Sequence, residues 1–209
     1  VVTATSARGR IDKRQAILAA AFTVFARHGY DQAGVQEIAA EAGVAKPTVY
    51  NHLADKANLF RHAVLAAAEE VMAENLAIAE RLREPGGDLR ATLEDVAYRM
   101  ARVCAGERAR ALRSLAHGQA SRFPDLIDLV RERTSDRLSE ALADRLARLS
   151  LAGRLRRCDP ALAAEQFLAL LTGPLEARSR SGTRTLSTAD TRTVADAAVD
   201  TFLRAYRPD

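Results

Sequence analysis

Tryptophan is absent from these 209 residues, and aromatic side chains make up only 5% of them. The apolar residues are instead mostly Ala and Leu, strong helix formers with little strand preference, which excludes an all-β architecture. Long apolar runs are missing too. Arg or Glu interrupts each one before the roughly 18 residues that a membrane span requires. Gly 11 and Pro 6 are too few for a collagenous or Pro/Gly-rich disordered chain. Cysteine is limited to Cys104 and Cys158, without CxxC spacing, so buried thiols are expected rather than a disulfide; a redox-sensing thiol is the alternative. The histidines His28, His52, His62 and His117 have no HxxxH or HExxH spacing, and no metal site is expected. No GxSxG, P-loop or GxGxxG stretch occurs, and Glu69/Glu70 and Glu94/Asp95 are neighbours that diverge around a helix. Neither an enzyme nor a cofactor is expected. Residues 1–9 hold no apolar signal segment, which points to a cytoplasmic protein.

Charge is plentiful and slightly one-sided. Thirty-one basic against 27 acidic residues give +4 and a pI near 9.4, a mild lean toward a polyanionic partner. All three lysines, Lys13, Lys46 and Lys56, fall in the first 56 residues, and arginine supplies every later positive charge. At roughly 150 residues per domain, one or two domains are expected. Apolar residues recur at three- and four-residue spacing almost throughout, predicting an all-α fold of about nine helices. The first runs from Ile11 to His28-Gly29, a short second covers Val35 to Ala42, and a third spans Lys46 to about Leu53. A fourth, capped by Asp55, extends to about Leu82, ahead of the break Glu84-Pro85-Gly86-Gly87. Helices from Asp88 to near Gly106 and from Glu107 to His117 follow. Phe123-Pro124-Asp125 opens a long one that stops at Gly153. Asp159-Pro160 starts a helix reaching about Arg178, with a possible kink at Gly173-Pro174. The polar segment Ser179 to Leu186 reads as a loop, and Ser187 to Asp190 is a capping box for the last helix, which closes near Tyr206.

Gly34 to Lys56 is the informative segment. Two short helices joined at Gly43-Val44 describe a helix-turn-helix. Ala39 is small where the helices must approach, and Gly43 can take the positive φ of a sharp turn. Val44 and Val49 are anchors toward Ile38, leaving Lys46, Thr48, Asn51 and His52 outward, as major-groove reading requires. A helical hairpin with a merely solvated polar face is the alternative.

Residues 11–60 resemble the N-terminal domain of the tetracycline-repressor (TetR/AcrR) family. The carrying residues are Ile17-Leu18-Ala19-Ala20-Ala21, Phe25, Gly29-Tyr30, Ile38-Ala39, Ala42-Gly43-Val44, Thr48-Val49-Tyr50, Lys56 and Leu59-Phe60. Phe123-Pro124, Gly153, Asp159-Pro160 and the closing Phe202 to Tyr206 match more loosely. The resemblance implies a basic arm at 1–10, a DNA-binding domain at 11–56 and an effector-binding and dimerisation domain at 57–209. It implies base or phosphate contacts to double-stranded DNA from Gln36, Lys46, Pro47, Thr48, Tyr50, Asn51, His52 and Lys56. The arm, with Arg8, Arg10, Lys13 and Arg14, is expected either to reach DNA or to be a solvated tail. Family members usually carry Thr or Ser before the second helix, where this chain has Ala33-Gly34. A homodimer through the last two long helices is implied, with Ala163, Ala164, Ala169, Ala197 and Ala198 permitting close approach. So is a pocket for a small apolar effector, with Tyr98, Met100, Cys104, His117, Phe123 and Phe167 as candidate lining; ordinary core packing is the alternative for each. Together these imply a repressor released from a pseudo-palindromic operator by its effector, the fourth helix acting as lever. Two rival classes are a helical small-molecule-binding protein or enzyme with an incidental helix-turn-helix, and a DNA-binding architectural factor without an effector.

Overall fold

The computed structural model describes residues 2–84, 86–180 and 183–208, with the side chains of 2–10 excepted. The arm expected at 1–10, Pro85 of the expected break, and residues 181 and 182 of the expected loop therefore lie wholly or partly outside the described residues. Ten α-helices form among the described residues: α1 Val2–Gln32, α2 Val35–Glu41, α3 Lys46–Leu53, α4 Lys56–Ala79, α5 Leu89–Ala105, α6 Glu107–Gly118, α7 Pro124–Arg131, α8 Arg137–Leu151, α9 Pro160–Arg178 and α10 Thr188–Tyr206. No strand occurs among the described residues. α1 is broken at Gly29, whose backbone (φ 73°, ψ 173°) leaves the helical region before one further turn.

The helix ends follow from local chemistry. Asp55 accepts from the Asn58 amide at 2.8 Å, Asp88 from Ala91 at 3.1 Å, and Asp159 from Ala161 at 2.9 Å. Each satisfies an orphan donor of a first turn. Ser187 and Asp190 form the reciprocal capping box, the serine hydroxyl accepting from the Asp190 amide at 3.0 Å. α9 continues through Pro174.

One expected helix is divided. Between α7 and α8 the chain forms a π-helical segment, Glu132–Asp136, without leaving helical dihedrals at either end. Counting this stretch as a single helix gives nine. A π turn carries an extra residue and rotates everything beyond it around the axis. Leu126 is buried in one compact unit, and Leu138, Leu142, Leu146 and Leu149 belong to the core of the other.

Those units are Val1–Glu69 with Ala111–Val130, and Glu70–Arg110 with Arg131–Asp209. Neither follows the 56/57 boundary read from the sequence, because α4 is one uninterrupted helix that contributes its first half to one unit and its second half to the other. The first unit buries Ile17, Phe25, Ile38, Val49 and Phe60. The second has its core among α4, α5, α8, α9 and α10, where Phe167 and Phe202 meet edge to face at 5.2 Å. The Tyr206 hydroxyl donates to Gln166 Oε1 at 2.7 Å, and burial pushes its ionisation upward. No helix is long and apolar enough to cross a membrane among the described residues.

Candidate nucleic-acid interface

The interface is built on α2 and α3. Gly34, in extended conformation, precedes α2 without a side-chain cap, and the Ile38 amide donates to its carbonyl at 3.1 Å. The hydroxyl missing at this position is thus structurally replaceable, since glycine caps at little cost. Arg27 and His28 on α1 pair with Glu37 at 3.6 and 2.9 Å, adding a polar tie between α1 and α2. α2 closes on Gly43. At φ 64° this residue lets the Val44 amide donate to Ala39 O at 2.9 Å and its own amide to Ala40 O at 3.1 Å. This paired pattern is a Schellman ending, which requires a left-handed residue at that point.

α3 then starts with Lys46-Pro47, the proline sitting where no intrahelical donor is needed. Val49 and Leu53 are buried, one turn apart. They fix the helix to the head and leave Lys46, Pro47, Tyr50 and Asn51 exposed on the other side. Thr48 and His52 are half-buried at the edges of this face, and Gln36 is exposed on α2. Tyr50 is 42% exposed, unusual for an aromatic residue in a chain with so few. Seven of the eight expected DNA-facing side chains are therefore on or beside the two helices of one motif. The eighth, Lys56, stands in the first turn of α4, where its Nζ donates to the Asp31 carbonyl at 3.0 Å and lies 4.9 Å from the Tyr30 ring centre. A lysine ammonium has two further donors, so this contact leaves it able to hold a phosphate.

The six candidate effector residues are dispersed. Met100 and Phe167 are core residues of the second unit, with half-buried Tyr98 against the same core and Cys104 against the smaller cluster of Ala101, Leu175 and Val194. His117 and Phe123 fall in the first unit. There His117 Nδ1 is 2.8 Å from the Arg113 carbonyl, and Phe123 packs on Tyr30 and Phe60. A cavity of about 720 Å³ opens between the second half of α4, the end of α5 and the start of α6. Val71, Ile78 and Val103 line it together with Glu70, Glu74, Arg81, Arg102 and Arg108, and none of the six candidates does. Its polarity was not legible in advance, since those charges read individually as solvated helix faces.

Known proteins resemble this chain in both its N-terminal and its C-terminal parts. Residues 17–63 match the profile described as "Bacterial regulatory proteins, tetR family", and residues 91–208 match "AefR-like transcriptional repressor, C-terminal domain". A solved structure of a TetR-family regulator from Mesorhizobium loti is 31% identical, with 95% of this chain and 98% of that one covered at a TM-score of 0.87. The flavonoid-responsive regulator FrrA is 26% identical over 94% of this chain and 98% of its own, with a TM-score of 0.69. The transcriptional activator FasR of Mycolicibacterium smegmatis is 45% identical over 51 residues, 24% of this chain and 23% of the relative. That match spans less than a quarter of either protein. With a matched N-terminal head, a matched C-terminal half and a neighbour alike over almost its whole length, the chain belongs to the tetR family of bacterial regulatory proteins, transcriptional regulators with a DNA-binding helix-turn-helix.

Proposed function

We propose that this regulator is a homodimeric repressor that reads a pseudo-palindromic operator and is released by a small effector. The observation that carries the DNA reading is the division of α3, with Val49 and Leu53 buried and Lys46, Pro47, Tyr50 and Asn51 exposed. In this reading Lys46 meets a guanine edge or a phosphate, Pro47 and the Thr48 methyl meet thymine methyls, and Gln36 and Asn51 reach base edges. Tyr50, His52 and Lys56 hold the backbone, which positions the protein without specifying sequence. The arm at 1–10 is proposed as an additional backbone contact.

Repression is favoured over activation by the match of residues 91–208 to an AefR-like repressor. The likeness to the activator FasR covers only 51 residues, too few to span the regulatory half. Dimerisation is proposed through the exposed faces of α9 and α10. Ala163, Ala164 and Ala198 are buried in the core of the chain itself, so of the expected alanines only Ala169 and Ala197 remain available. Gly173 and Thr172 on α9, with Thr193 and Thr201 on α10, extend that low-profile surface. Effector binding belongs to the C-terminal part, with α4 as the lever between sensing and reading. A flavonoid is a reasonable first ligand, since FrrA responds to one.

The test is selection of bound duplexes from a random DNA pool by the full chain, beside a Lys46→Ala/Tyr50→Ala variant. A palindromic winner that the variant fails to hold is the expected result. Equal enrichment by both would overturn the assignment of α3. The recovered duplex then serves as the probe for release by a flavonoid such as quercetin.

A further inference from the structure

Residues 119–125 lie within the C-terminal profile, yet they fold with the DNA-binding head. Phe123 is 4% exposed. Its ring stacks on Phe60 at 5.1 Å and meets Tyr30 edge-on at 5.3 Å, and both of those rings meet Phe25. Ion pairs flank this aromatic cluster. Arg61 donates to both carboxylate oxygens of Asp125 and lies 4.9 Å over the Phe123 ring. Arg122 Nη1 donates to Asp31 Oδ1 at 2.6 Å while its guanidinium lies 4.7 Å over Tyr30. The same Tyr30-Asp31 pair receives Lys56, on the ring face and on the Asp31 carbonyl. Tyr30 therefore lies against two cations, and Asp31 is held by one through its side chain and by the other through its backbone.

We infer that Arg122, Phe123 and Asp125 are positioning residues of the DNA reader. They fix Tyr30, Asp31 and the first turns of α4, and through these they set where Lys56 and the end of α3 stand. Such outside support is needed because α3 has only eight residues, too short to hold its conformation or direction alone. Ring contacts give the support a defined angle, since edge-on and offset-stacked arrangements are preferred over a face-to-face sandwich. The bidentate Arg61–Asp125 contact adds a planar constraint that a lysine would not supply. None of the three residues needs to touch DNA. This inference rests on the DNA reading proposed above.

The experiment measures the full chain against the duplex recovered by selection and against a shuffled duplex of equal length. The readout is the ratio of the two affinities, in which the sequence-independent charge contribution largely cancels. Phe123→Ala is expected to lower the ratio about tenfold, and Phe123→Tyr to retain it. Because Phe123→Ala can also unfold the head, a second set uses the exposed pair. Arg122→Asp and Asp31→Arg singly are expected to lower the ratio, and the double exchange to restore most of it. An unchanged ratio in the single variants, or no recovery in the double, would overturn the inference. If Arg122 instead touched phosphate directly, its loss would lower affinity for both duplexes alike and flatten the salt dependence, with no rescue by Asp31→Arg. Failure of the wild-type chain to enrich any duplex would refute the DNA reading itself, a separate outcome.

Discussion

At the scale of single residues, the proposed reader depends on positions away from the exposed face of α3. Gly43 is one of them, held at φ 64° with both closing hydrogen bonds of α2 passing through its immediate neighbourhood. A Cβ there meets no neighbouring atom, so the cost of Gly43→Ala is conformational and not steric. We expect about 1–2 kcal/mol of lost stability in denaturant unfolding, the cost of a left-handed alanine. Leu53 is the second case. It is 4% exposed, and Leu53→Ala should cost about 2–5 kcal/mol, because the cavity left beneath a two-turn helix has few groups able to fill it. Both substitutions should weaken DNA binding through the head's stability, so their effect on affinity should diminish when stabilising conditions are restored. Lys56 differs from both. Lys56→Ala should reduce the dependence of log affinity on log salt by about one contact, which a titration from low to moderate salt will measure.

At the scale of elements, the helices of this chain end where short-range chemistry tells them to. The α10 capping box is the most complete example, and Ser187→Ala should cost about 1 kcal/mol in the same unfolding assay. Ionisation adds a pH dependence of definite sign. Hydrogen bonding from Arg61 holds the Asp125 carboxyl below its ordinary value of 3.8, capping contacts from Ser187 do the same for Asp190, and Arg90 does so for Asp200. A depressed carboxylate stabilises the fold above its unfolded pKa and loses that contribution as pH falls through the folded one. Thermal unfolding followed from pH 5 downward should therefore show stability declining below about pH 4. Asp125→Asn should make the decline shallower. The three carboxylates are exposed, so the effect is modest and screened by salt.

For the whole molecule, the proposed dimer is the feature with most consequence. Ala169→Glu together with Gly173→Glu would place carboxylates on the exposed face of α9 without disturbing the core against which Phe167 and Leu171 pack. Light scattering should report a dimer for the unaltered chain and a monomer for this variant, and affinity for the selected palindrome should fall steeply, since two heads then bind independently. A variant that remained dimeric would move the interface to another surface.

Much of this protein was determined along the sequence itself. Caps at Asp55, Asp88, Asp159 and Ser187, the glycine turn at Gly43 and the apolar spacing of each helix act over four residues or fewer, so reading them needs no knowledge of what packs where. The outward face of α3 was legible for the same reason, because Val49 and Leu53 declare its inner side. What lay beyond reach involves partners far apart in the chain. Phe123 reads as a candidate pocket-lining residue until the fold brings Tyr30 and Phe60 to it, and nothing in the sequence pairs Arg122 with Asp31. The π-helical segment after Arg131 is a second instance. It has no proline or glycine to announce it, and Leu126 before it and Leu138 after it lie in different units. Local hydrogen bonding and helical periodicity are written in neighbouring residues, whereas burial against a distant element is decided only when the chain closes on itself.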